Sequence, residues 1–196
     1  MIIIDFDHIS ESDKTKLLIG SIVPRPIAFV TSKSMNGILN GAPFSYFNIV
    51  STEPPLISIS IRKEKIHLKD TANNILNLKA FVVHIVSPNY LDQVNQSSFS
   101  YPPEVSEITE TGLTPVKSLK IPVEGVKEAR IRFECLLERA VDLPGSTLII
   151  GKIIAMHVDE SVYQDGKILI DQLEPISRLA GSHYATIGEI ITKSKP

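Results

Sequence analysis

Several stretches of this chain alternate apolar and polar residues with a period of two: Ile27 to Ser32, Ile57 to Arg62, Phe81 to Val86, Arg130 to Leu137 and Thr147 to Val158. That period belongs to strands with one face buried. The segment DGKILID reads as a hairpin arm, with Asp165 and Gly166 supplying the turn. Helical pattern is scarcer. DTANNILNL offers Asp70 as an N-cap and a short apolar face of Ile75, Leu76 and Leu78, and a second short helix is expected in YLDQVNQSSF. A doubly wound α/β sheet needs long helices between its strands, so the pattern points to a mainly β chain with a few short helices, arranged as a closed or partly closed barrel.

At 196 residues and 43% hydrophobic content the chain can close one sizeable core, and a single domain over 1–196 is expected. The 13 prolines and 10 glycines are spread between apolar segments, without a linker or repeat. Lys plus Arg number 20 against 22 for Asp plus Glu, and a net charge of −2 gives no field suited to nucleic acid or an anionic membrane. Cys135 has no disulfide partner, and the histidines lack metal-site spacing, so no metal is expected. The opening MIIIDFDHISESD lacks the basic segment and long apolar core of a secretory signal. The run TLIIGKIIAMHV is too short to cross a bilayer and carries Lys152. A cytoplasmic protein is the expectation.

Familiar catalytic signatures fail. GSTLIIGK has five residues between its glycines where a phosphate loop has four, and Ile153 stands where the metal-binding hydroxyl belongs, so it reads as a strand. No G-x-G-x-x-G follows a strand and no G-x-S-x-G elbow occurs. His84 and His157 fall in expected strands and read as satisfied core or surface histidines.

What remains is a ligand-like constellation. In LISISIR, the isoleucines Ile57, Ile59 and Ile61 share one face while Ser58, Ser60 and Arg62 share the other. After the basic connection KEKIH, the segment LKDTANNI places Lys69 and Thr71 at a helix start, where free amides and the helix dipole suit a phosphate. The plainer reading is a capped surface helix. Upstream, NGAPFSYFNIVSTEPP sets Asn40, Ser45 and Asn48 among Phe44, Tyr46 and Phe47. Such a mixture suits the polar rim of a planar heterocycle, whereas the plainer reading is a tight turn at Asn40 and Gly41 with aromatics in the core. Arg25, between Pro24 and Pro26, faces either ligand or solvent.

Taken in order, GSIVPRPIAFVTS, NGAPFSYFNIVSTEPPLISISI, KDTANNI, TETGLTPVKS, VKEARIRFECLLER and PISRLAGSHYATIGE resemble the flavin reductase-like group of FMN-binding split-barrel proteins, in the branch of flavoredoxin-like proteins and flavoprotein oxygenases. The resemblance covers nearly the whole chain. It implies a split β-barrel of Greek-key type that binds FMN, with the turn matching Asn40 to Tyr46 beside the isoalloxazine, Ser58 to Arg62 along the ribityl chain and phosphate, and the K-D-T segment on the phosphate. Asn40, Ala42, Phe44, Ser45, Ser60, Arg62, Lys69 and Thr71 are therefore the expected cofactor-binding residues. Arg178, His183 and Tyr184 match a segment that approaches the flavin from the other side. The resemblance further implies a homodimer with FMN near the interface.

A flavin supplies the redox chemistry itself, so no catalytic acid or base is required. The expected function is an NAD(P)H-dependent flavin reductase-like oxidoreductase that passes electrons from reduced FMN to a small-molecule or protein acceptor. The rivals are an FMN-binding electron-transfer module without its own substrate, and a split barrel that has lost FMN and binds another ligand.

Overall fold

The structure, a computed structural model, describes residues 1–64 and 67–194. Lys65 and Ile66 of the basic connection KEKIH lie outside the described residues. The main sheet has seven strands: β1 Ala28–Lys33, β2 Leu39–Phe44, β3 Phe47–Thr52, β4 Pro55–Arg62, β5 Ala80–Ile85, β6 Ile131–Leu143 and β7 Ser146–Val158. Every neighbouring pair is antiparallel, in the order β2-β1-β5-β6-β7-β4-β3. The connection is of Greek-key type: β4 leads through helix α2 (Asp70–Leu78) to β5, which lies next to β1 rather than next to β4.

The two edges of this sheet, β2 and β3, are consecutive in the chain and joined only by Ser45 and Tyr46. Three Cα steps span at most about 11 Å, so the sheet must curl until its edges nearly meet. They do not pair with each other, and the barrel stays split along that seam. Ser60 N reaches across to Tyr46 O at 2.8 Å, pinning the link against β4.

Two apolar clusters explain the closure. Inside the barrel, Ala28, Val30, Ile57, Ile59, Ile61, Phe81, Val83, Cys135 and Ile149 pack with Ala72 and Ile75 of α2, and Phe44 and Phe47 lean on them. The isoleucine face of β4 points inward, as its alternation requires. Outside, Phe29 and Val82 meet Tyr90, Val94, Ile108, Val123 and Val126 from the long excursion between β5 and β6. Strands β1 and β5 are therefore buried on both faces, where their alternation had suggested one wet face. His84 shows why polar residues survive there: Nδ1 lies 2.9 Å from Phe29 O, and Nε2 accepts from Val126 N at 3.0 Å.

Elsewhere the sequence is corrected. Residues 40–44 and 47–52 lie in strands β2 and β3, with only Ser45 and Tyr46 as a loop between them. Asn40 and Gly41 are not a turn; the β1–β2 turn lies at Asn36 and Gly37, where Gly37 has φ 85°. Gly41 answers a packing need, since a Cβ there would stand 2.5 Å from Ile108 Cδ1 and 2.9 Å from Phe29 Cζ. Helix α1 (Glu11–Ser21) has no counterpart in the apolar pattern because none of its residues is buried. Its signal is the cap, Ser10 Oγ accepting from Asp13 N at 3.1 Å. The expected hairpin around Asp165 and Gly166 is present, pairing Tyr163 with Ile168. Among the described residues no helix is long and apolar enough to cross a membrane.

Candidate functional site

Three hollows meet at the seam of the barrel, and Pro43 and Phe44 at the end of β2 line all of them. The first, about 270 Å³, is bounded by Arg25, Ser45, Tyr46, Ser60, Arg62, Lys69 and Arg178. The second, about 410 Å³, runs along Asn40, Ala42, Lys69, Thr71 and Glu107 toward the loop carrying Phe99 and Tyr101. The third, about 220 Å³, holds Asn95, Arg178 and Tyr184 beside Ser45.

Each element delivers its residue for a local reason. The outward face of β4 presents Ser60 and Arg62 because Ile59 and Ile61 are held inside. The start of α2 presents Lys69, which is the N-cap residue and makes no side-chain cap bond. This corrects the expectation that Asp70 caps the helix: Asp70 is the first helical residue. The first intrahelical bond of this terminus runs from Asn73 N to Lys69 O, so the amides of Asp70, Thr71 and Ala72 precede it without a side-chain cap.

Asn40 and Thr71 sit differently from the rest. The Asn40 amide donates to both oxygens of Glu107, at 2.8 and 2.9 Å, and its carbonyl accepts from Thr71 Oγ1 at 3.0 Å and Ser32 Oγ at 3.4 Å. Both residues are buried. Their polar side-chain groups are engaged within the protein. Glu107, whose importance the sequence reading missed, also accepts from Gly41 N at 3.1 Å. Burial pushes its carboxyl above the ordinary range, partly offset by these hydrogen bonds.

Charge divides sharply at this seam. The 270 Å³ cleft is lined by Arg25, Arg62, Lys69 and Arg178 and, among the described residues, by no carboxylate. Glu64 approaches Lys69 from outside the cleft at 3.3 Å. Arg178 is braced by Tyr184, with its guanidinium 4.4 Å from the ring centroid. His183 is not in any of the three hollows; its N–H and the N–H of Leu179 close a turn, to Ala180 O and His183 O respectively. An uncapped helix start, cationic side chains and a Pro/Phe wall together suit an anionic group attached to a flat, partly apolar body.

The flavin reductase-like domain model matches residues 19–173, which include the link, β4 and the start of α2. The chain belongs to the flavin reductase-like domain family. Its relatives include the uncharacterized protein YwrF of Bacillus subtilis (strain 168), 45% identical with 100% of both chains covered. Among solved structures, nitrilotriacetate monooxygenase component B from Bacillus cereus superposes at TM-score 0.97 and 47% identity over 98% of each chain. The 2-nitrobenzoate 2-nitroreductase NbaA of Pseudomonas fluorescens follows at TM-score 0.92 and 28% identity, over 100% of this chain and 96% of that one. In this flavin reductase-like chain, five of the expected cofactor residues, Phe44, Ser45, Ser60, Arg62 and Lys69, line one cleft, while Ala42, Asn40 and Thr71 line the adjoining one.

Proposed function

We propose that this protein is an FMN-dependent oxidoreductase that takes electrons from NAD(P)H and passes them to an acceptor. The single observation that carries the reading is the carboxylate-free cleft at the barrel seam, where Ser60, Arg62, Lys69 and the start of α2 converge beside Pro43 and Phe44. These residues fit a phosphorylated planar ring system. Arg62, Lys69 and the amides of Thr71 and Ala72 would hold the phosphate, Ser60 the polar chain, and Ala42, Phe44 and Ser45 the ring. Bound FMN would supply two-electron redox chemistry, and the chain's task is to bind it, orient it and leave one face accessible. Arg178 and Tyr184, which share the third hollow with Phe44, would meet a donor or acceptor.

The names of the similar proteins support this reading at the level of reaction class, since a monooxygenase component and a nitroreductase both handle electrons. A homodimer is part of the proposal. Strand β3 is a sheet edge with Ile49 and Val50 exposed at 69% and 49%, next to the link that lines the cleft. Such an edge calls for a partner. Purified protein loaded with FMN and mixed with NADH or NADPH tests the reading: sustained oxidation of either nucleotide with an added acceptor supports a reductase. A bound flavin reduced only by a protein partner would favour the electron-transfer module instead, and colourless protein that ignores FMN would end the proposal.

A further inference from the structure

Arg25 is 7% exposed, yet among the described residues no acid pairs with its charge. Its Nη1 donates to Ile19 O at 2.7 Å and Ile22 O at 2.6 Å, at the C-terminal end of α1. Nη2 donates to Leu179 O at 2.9 Å, and Nε to Ser45 Oγ at 3.4 Å. All these acceptors are neutral, and among the described residues no carboxylate lies within salt-bridge distance. A buried guanidinium is usually paired with an acid, because taking an isolated charge out of water is costly. Here the carbonyls at a helix C-terminus supply partial compensation. The remaining field falls on the cleft that Arg25 lines together with Ser45.

This charge differs from those of Arg62 and Lys69, which are exposed and suited to grip a phosphate through their own donors. Arg25 has four of its five N–H donors fixed by the protein itself, so its contribution to a ligand is chiefly its field. Reduced access to solvent makes that field less screened than a surface charge. It also fixes the hydroxyl of Ser45 in the link between the two sheet edges, tying α1, the link and the C-terminal segment around one point.

We propose that Arg25 is the positioning residue that sets the reduction potential of the bound flavin, its fixed positive charge favouring the reduced, anionic form. The inference rests on the flavin reading above. A hydride delivers two electrons and one proton, so the flavin gains one net negative charge while the dihydronicotinamide donor leaves one charge more positive. A permanent cation in the wall opposes the cost of that gain and removes the need for a second proton.

The test compares midpoint potentials of FMN bound to the wild-type protein, Arg25→Gln and Arg25→Lys. Arg25→Gln is expected to lower the reduction equilibrium about tenfold, which is about 30 mV for a two-electron couple. Arg25→Lys keeps the charge while losing the multiple carbonyl bonds, so it is expected to recover most of the potential even with a lowered melting temperature. A purely structural role predicts that the two variants behave alike, and an unchanged potential in folded Arg25→Gln would overturn the inference. Should Arg25→Gln fail to fold, the wild-type potential followed from about pH 5.5 to 7 decides: two electrons with one proton give a slope near 30 mV per pH unit, and a slope near 59 mV would refute the anionic form. Wild-type protein that binds no FMN overturns the flavin reading itself, an outcome distinct from bound FMN with an insensitive potential.

Discussion

The amide of Asn40 holds both carboxylate oxygens of Glu107, at 2.8 and 2.9 Å, and thereby fastens β2 to helix α3 (Glu107–Glu110) beneath the seam of the barrel. The bond explains a polar residue in a buried strand. It also transmits order: Asn40 accepts from Thr71, so the helix that starts the cationic cleft is tied to the same point.

Removing this hub leaves a buried carboxylate with Gly41 N as its remaining donor and a buried hydroxyl without an acceptor. Asn40→Ala is expected to cost about 2–4 kcal/mol, read from denaturant unfolding. The double variant Asn40→Ala with Glu107→Ala should cost less than the two single losses added, because the second truncation removes the group the first one stranded. Strict additivity would show that the pair is not energetically coupled.

Gly41 sits against the side chains of Ile108 and Phe29, both fully packed. Gly41→Ala is expected to destabilise by about 1–3 kcal/mol through overpacking, measured as a drop in the unfolding midpoint. A neutral result would mean that the outer layer yields easily.

His84 is fully buried, and desolvation pulls its pKa from the ordinary 6.5 to about 3. The folded protein therefore keeps the ring neutral while the unfolded chain takes up a proton below about pH 6.5. This group costs nothing at neutral pH, and its penalty grows as pH falls, by up to about 1.4 kcal/mol per pH unit. His84→Gln should flatten the loss of stability between pH 6.5 and about 4.5, before carboxylates titrate, even if it is less stable at pH 8. An equally steep fall in the variant would assign the acid sensitivity elsewhere.

The proposed dimer makes the exposed edge of β3 a contact. Ile49→Glu should shift sedimentation toward the monomer and weaken FMN binding about tenfold, a change of about 1.4 kcal/mol. A wild-type monomer that binds FMN with undiminished affinity in the variant would remove the partner from the site.

Much of the barrel was legible because β4 carries a clean two-residue alternation over an inward apolar face, and β7 carries one from Ser146 to Gly151. β2 and β3 were not, because Pro43 and Gly41 break the strand signature and Asn48 and Ser51 read as turn residues. Pro43 is tolerated at a sheet edge, which is where it sits. Within the site, the outward face of β4 and the position of Lys69 followed from local periodicity and the helix start. The burial of Arg25 and the engagement of Asn40 by Glu107 did not, since each depends on residues brought from far along the chain, Leu179 and Glu107. No short-range pattern encodes those meetings.

The most direct test of the account is a calorimetric titration of FMN and riboflavin into the wild-type protein, Arg62→Ala and Lys69→Ala. If these cations grip the phosphate at the start of α2, each substitution weakens FMN binding about tenfold to a hundredfold, in line with about 1.5–3 kcal/mol for a bond to a charged group, and leaves riboflavin binding nearly unchanged. Equal losses for both ligands, or none for either, would contradict it.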